Sequence, residues 1–250
     1  GLVGSEMCIR DRSDPIFQLR RLDGMLEPVV TSEGLTVVHL FCDRTAAADD
    51  EAIGAAVEAA RADDVQVVTV ALLGHKASLC FMALHADAWK LRDLQSALVS
   101  AGLVVVDSFV SITELSEYAQ GLPEEMANMR LYPELPPDGK HAWCFYPMTK
   151  RRGAEHNWYE LDYDRRKELM YEHGTSGRKF AGRIVQLITA STGLDDWEWG
   201  VTLFGVKLDD LKDTVYTMRY DTASARYAEF GAFYTGMVGP VDEILARTAI

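Results

Sequence analysis

Long apolar runs are missing from this chain. No stretch of about 18 apolar residues occurs, so nothing has the length of a membrane-crossing helix, and apolar segments such as Val65 to Leu73 have strand length. Cysteine is sparse and scattered. Cys8, Cys42, Cys80 and Cys144 form no CxxC or Cys/His pair, which argues against a zinc site and offers no disulfide framework. A reducing cytoplasm is the expected location. Positive charge is also short: 25 Lys and Arg face 38 Asp and Glu, for a net charge of -13. Nucleic-acid binding needs a basic face, so such a partner is not expected, and any anionic ligand needs a local basic pocket. Residues Gly1 to Arg12 carry neither the apolar core nor the small-residue cleavage site of a secretory signal. They read as a translated adaptor or assembly artefact and are set aside with Cys8.

What is present is a hydrophobic content of 48% in 250 residues, ample for a buried core in one large domain or two smaller ones. Hydrophobic period places strands at Thr36 to Cys42, Val65 to Leu73, Ser78 to His85 and Val104 to Ile112, with helices at Asp49 to Ala62 and Trp89 to Ala101. The order is β-α-β-β-α-β. After a Pro- and charge-rich irregular stretch the same order returns. Strands are expected at His141 to Met148, Arg183 to Ala190, Glu198 to Phe204 and Ala232 to Met237, and helices at Asp162 to Phe180 and Leu208 to Tyr220. A split βαβ unit written twice predicts an α+β fold of two tandem ferredoxin-like βαββαβ repeats that form a dimeric α+β barrel within one subunit. The expected parts are 13–121, a connecting segment 122–140, and 141–250.

The second repeat holds Tyr146, Lys150, His173, Gln186 and Arg219 at interior-looking positions, so a single pocket is expected there. His173 comes late in an amphipathic helix and is followed by Gly174, which either lets a flat ligand approach or loosens the helix. A lone histidine is a surface residue or a metal ligand, and no other histidine stands at paired-ligand spacing. Tyr146 is a wall tyrosine or a redox-active phenol. Pro147 removes a ladder donor just after it, so the strand is expected to be disrupted there, with a bulge re-aiming the tyrosine. Lys150 shares strand parity with Tyr146, so the two point the same way if the strand persists. Gln186, polar within an apolar strand, is hydrogen-bonded structure or pocket wall.

Taken together, Arg130-Leu131-Tyr132-Pro133, Tyr146-Pro147-Met148-Thr149-Lys150, Asn157-Trp158-Tyr159, His173-Gly174, Gln186, Trp199-Gly200-Val201-Thr202-Leu203-Phe204 and Ser224-Ala225-Arg226-Tyr227-Ala228-Glu229-Phe230-Gly231 closely resemble the coproheme decarboxylases of the chlorite dismutase-like superfamily. The likeness runs in register over residues 125 to 240 and fits the branch with a distal glutamine. Met129 or Arg130 falls where another branch keeps a distal histidine.

The resemblance implies a homopentamer that turns iron-coproporphyrin III into haem b with hydrogen peroxide, two propionates leaving as carbon dioxide. It implies His173 as the iron ligand, Tyr146 as the tyrosine that becomes the oxidising radical, and Gln186 as the distal amide. Arg130, Lys150 and Ser224 match propionate-binding residues; Pro147, Met148, Thr149 and Trp158 match residues lining the substrate. Four carboxylates entering an acidic protein call for a basic pocket. A transient contact with the preceding ferrochelatase is expected. The alternatives are a chlorite dismutase, which has a distal arginine where this chain has Gln186, and a haem-binding protein without turnover.

Overall fold

The computed structural model describes residues 27–119 and 121–249; the expectations for residues 1–12 lie outside them. The first half contains β1 (Thr36–Arg44), α1 (Asp50–Ala62), β2 (Gln66–Leu73), β3 (Leu79–His85), α2 (Ala88–Ser100) and β4 (Leu103–Thr113). Alternation along β1 sends Val37 and Phe41 to one face and Val38, Leu40 and Cys42 to the other. The second set meets Ile53 and Val57 of α1 and Leu91, Leu94 and Leu98 of α2, whose spacing of three and four residues gives each helix one apolar stripe. Both helices start on aspartate caps: Asp49 accepts from the Ala52 N–H and Asp87 from the Trp89 N–H.

A helix α3 (Glu124–Leu131) follows, and then the second half: β5 (Ala142–Lys150), α4 (Tyr163–Arg178), β6 (Ile184–Ala190), β7 (Trp199–Gly205), α5 (Leu208–Met218), α6 (Thr222–Ala225), β8 (Ala228–Phe230), β9 (Tyr234–Val238) and α7 (Val241–Arg247). Neighbouring strands run in the order β4-β1-β3-β2 in the first half and β6-β7-β5-β9 in the second. These are the two ferredoxin-like orders expected. Antiparallel pairing of β2 with β9 and of β4 with β6 joins the halves, and β5 with β7 completes a closed ring, with β8 lying against the far end of β5. The interior is aromatic, built from Phe41, Phe109, Trp143, Phe145, Phe204 and Tyr234. His39 is fully buried among them, and burial pulls its pKa down to about 3, so it is neutral there.

Two expectations are corrected. The connecting segment is not wholly irregular, because it contains α3. That helix buries only Leu131 of its eight residues, so it has no apolar period to read. Nor does Pro147 disrupt its strand: β5 pairs with β7 without a register shift through Tyr146, Pro147 and Met148. The reason is local. On the other side of β5, pairing with β9 stops at Phe145 and pairing with β8 starts at Met148, so the missing N–H falls opposite the gap between two partners. The Pro147 carbonyl still accepts from the Gly231 N–H at 2.8 Å.

Candidate functional site

Strand parity decides which β5 side chains meet outside the barrel. Tyr146, Met148 and Lys150 share the outer face and line a cavity of ≈ 2480 Å³. Its other walls come from α3, α4, β6, the start of β7 and the segment around Arg219 to Phe230. Small-molecule sites usually occupy about 300–1,000 Å³, so this one has room for a large flat ligand. Pro147 and Thr149 lie on the opposite face and do not line it, a correction to the expectation for their side chains. Arg130, Trp158, Gln186 and Ser224 do line it, with His173 on α4.

His173 is set by its neighbours. Its Nδ1 lies 2.9 Å from Asp221 Oδ2 and 3.4 Å from Ser224 Oγ, and among the described residues its Nε2 has no protein partner. Asp221 is buried and caps α6, accepting from the Ser224 N–H at 2.9 Å through Oδ1. Burial would raise its pKa, but hydrogen bonding and attraction from His173, together with the Ser224 donors, outweigh that and hold it below the usual carboxylate range. Gly174 does not end the helix, which runs on to Arg178. A Cβ there would meet only the Arg178 guanidinium, at 3.7 Å, so packing does not require the glycine and it leaves a flat wall beside His173.

Tyr146 is 7% exposed, stacked on Phe233 with centroids 4.5 Å apart and edge-on to Phe230 at 5.6 Å. Burial first, then the Cys144 thiol beside it, push its pKa up, with Arg219 acting the other way. Its hydroxyl has no hydrogen-bond partner among the described residues and borders the cavity.

Lys150 is also buried. Its Nζ donates to the Ala223 carbonyl at 3.2 Å and sits 4.3 Å from the centroid of the Trp158 ring, a cation–π contact. Burial pulls its pKa down to about 8, against the Asp221 and Glu198 carboxylates that hold it up. The backbone here is tied by Glu198, which accepts from the Lys150 N–H at 2.8 Å and pairs with Arg152 at 2.5 Å. On α3, Arg130 is steadied by its neighbours: Thr113 donates to the Leu131 carbonyl at 2.7 Å, and the Tyr132 hydroxyl accepts from the Gly34 N–H at 3.1 Å.

The cavity is not uniformly basic, as four incoming carboxylates suggested. Glu114 and Glu117, just after β4, and Glu124 and Glu125, at the start of α3, border it, while Lys150, Arg219 and Arg130 supply positive charge nearer β5 and α3. Sequence reasoning missed Asp221 and Glu198. Asp221 precedes the small-residue stretch 222–225 as a helix cap, a readable signal for the cap but not for His173. Glu198 sits between two tryptophans in what reads as ordinary turn and core chemistry.

A family model described as chlorite dismutase matches residues 44–239. The chain belongs to the chlorite dismutase family. Within this family it is 43% identical over 183 residues to the coproheme decarboxylase of Staphylococcus carnosus, covering 69% of this chain and 73% of that one. Among solved structures, a heme-binding protein from Thermus thermophilus superposes with a TM-score of 0.78 at 34% identity, over 90% of this chain and 99% of that chain. A mutant chlorite dismutase from Candidatus Nitrospira defluvii shares the fold, with a TM-score of 0.69 at 20% identity over 88% of this chain and 98% of that one.

Proposed function

We infer that this chlorite dismutase family member is a coproheme decarboxylase, an oxidoreductase of haem biosynthesis that converts iron-coproporphyrin III to haem b with hydrogen peroxide. The observation that carries the reading is the grouping of a buried phenol, a buried ammonium and a carboxylate-held histidine around one large cavity, Tyr146, Lys150 and His173. The 43% identity to a coproheme decarboxylase supports it. The donor set suits an iron porphyrin: Nε2 of His173 has no partner among the described residues, and its Nδ1 is held by a carboxylate, the usual outer partner of a metal-bound imidazole.

Lys150, Arg130 and Ser224 take propionate carboxylates, Trp158 and Met148 wall the ring, and Gln186 offers its amide on the face away from His173. Pro147 and Thr149 contribute through the strand rather than through their side chains. Loss of each propionate carboxyl as carbon dioxide releases two electrons and one proton, and with one further proton from solvent these reduce one peroxide to two waters. The iron porphyrin, when bound, would supply the oxidising power of peroxide; Tyr146 would relay one of the two equivalents, losing an electron and its hydroxyl proton and recovering both from the propionate, whose second electron would return to the porphyrin itself. The 141–250 repeat carries this machinery, with the connecting segment closing the cavity. The resemblance further supports a homopentamer fed by ferrochelatase, and a reducing compartment suits the unpaired thiols Cys42, Cys80 and Cys144.

The decisive measurement is a mass spectrum of the porphyrin as peroxide is titrated into the coproheme complex under anaerobic conditions. Two successive losses, each of one carboxyl equivalent, are expected. Bleaching without such losses makes the chain a haem-binding protein, and sustained oxygen release from chlorite by the haem-loaded form makes it a chlorite dismutase.

A further inference from the structure

Beyond the cavity the barrel holds a second tyrosine that the proposed reaction does not use. Tyr234, on β9, is 7% exposed and stacks on Phe41 with centroids 3.8 Å apart and planes 20° from parallel. Its hydroxyl donates to the Asp107 carboxylate, and Asp107 is exposed to solvent. The preceding residue, Phe233, packs on the outer face of the sheet, where its ring stacks on Tyr146. One aromatic ring and one step of backbone therefore separate the cavity phenol from a phenol inside the barrel. Pairing of Phe145 with Tyr234 in the β5–β9 ladder fixes this juxtaposition.

We propose that Tyr234 is a second oxidisable site, connected to Tyr146 through Phe233, that draws an oxidising equivalent out of the cavity when no reactive propionate is there to receive it. The proposal rests on the oxidation of Tyr146 argued above. Its direction follows from proton management. An oxidised phenol is a strong acid, so oxidation is favourable where a base already accepts the hydroxyl proton. Tyr234 has a carboxylate in that position, and Tyr146 has no hydrogen-bond partner among the described residues. Lys76 reinforces the requirement. Its Nζ lies 5.4 Å from the Tyr234 ring centroid and 2.5 Å from the Phe233 carbonyl, so positive charge left on the ring is repelled and the proton must leave with the electron.

One electron passes from Tyr234 to the Tyr146 phenoxyl, the Tyr234 O–H bond breaks, and its proton goes to Asp107 Oδ2 and on to solvent. Tyr146 re-forms its O–H with a proton from water in the cavity. The oxidant throughout is hydrogen peroxide acting at the bound iron porphyrin.

The test treats full-length protein loaded with haem b, which has already lost its reactive propionates, with peroxide and a nitroso spin trap, and locates the adducts by peptide mass spectrometry. Label is expected on both Tyr146 and Tyr234. Asp107→Asn should lose the Tyr234 label and keep that on Tyr146, and Tyr146→Phe should lose the Tyr234 label. Tyr234→Phe keeps the stack on Phe41 and should raise the label on Tyr146. Label on Tyr146 with none on Tyr234 overturns the connection and leaves the role of Tyr146 intact. Label on neither removes both, and unchanged Tyr234 label in Tyr146→Phe shows that the oxidising equivalent arrives by another route and also overturns the proposal.

Discussion

Asp221 Oδ2 lies 2.9 Å from His173 Nδ1, across 48 residues of chain, and the same carboxylate caps the four-residue helix that carries Ser224. One buried acid thus orients the imidazole and holds the polypeptide beside it. Because its pKa is held below the usual range, it is a carboxylate at neutral pH and favours a proton on Nδ1, which leaves the Nε2 lone pair toward the cavity.

Replacing Asp221 by Ala should weaken iron-porphyrin binding by about 10–100-fold, the usual cost of removing an outer partner of a ligating histidine. It should also lower stability by about 1 kcal/mol through loss of the cap. Asp221→Asn keeps a capping oxygen and should spare most of the stability but not the affinity. A Soret titration and a thermal melt separate the two effects, and full affinity in both variants would remove Asp221 from the site.

Tyr146→Phe should bind iron-coproporphyrin III and yield no haem b. Its hydroxyl has no hydrogen-bond partner among the described residues, so the fold should lose no more than about 0.5 kcal/mol, the range for changes that break no buried interaction. Product formed at the normal rate in this variant, read by porphyrin mass, sinks the relay role.

Lys150 should make stability depend on pH in a particular direction. In the folded chain it gives up its proton near pH 8, in the unfolded chain near 10.5. Between those values the unfolded state binds more protons, so stability rises with pH across the window, and below it the buried charge costs on the order of 3 kcal/mol. Lys150→Met should be more stable than the parent at pH 7 in the ligand-free protein, with the difference shrinking toward pH 10.5. Coproheme affinity should fall above pH 8 in the parent and be weak and flat in the variant. Melting curves and titrations at several pH values read both, and parallel profiles for the two proteins would mean that Lys150 is not a buried titrating ammonium.

Gly236 lies at the seam where β9 meets β2, and a Cβ there would run into the Ala71 carbonyl and meet the Val70 side chain at 2.7 Å. Backbone of the neighbouring strand cannot yield as a side-chain tip can. Gly236→Ala should therefore cost about 1–3 kcal/mol as overpacking, seen as a lower melting temperature without porphyrin. An unchanged melt would mean that the seam relaxes freely.

Much of this is legible in the sequence. The alternation at Val37, His39 and Phe41 and the helical spacing of Leu91, Leu94 and Leu98 are local patterns, and they fixed element type and order, the repeat, and the shared facing of Tyr146 and Lys150 once β5 ran unbroken. Pro147 misled because its effect depends on what lies across from it, and the gap between β8 and β9 is not written near residue 147. The helix at 124–131 was hidden because its amphipathic signal is weak, with a single buried residue.

The chain's own pattern determined two ferredoxin-like halves and the inventory of phenol, ammonium, imidazole and amide. Tertiary structure alone decided that Asp221 reaches His173, that Glu198 ties down the end of β5, and that Phe233 sets Tyr146 against the wall holding Tyr234. Periodicity reports which face of its own element a residue occupies. A hydrogen bond near 3 Å between residues about fifty apart is set by how whole elements pack, and no local spacing encodes that distance.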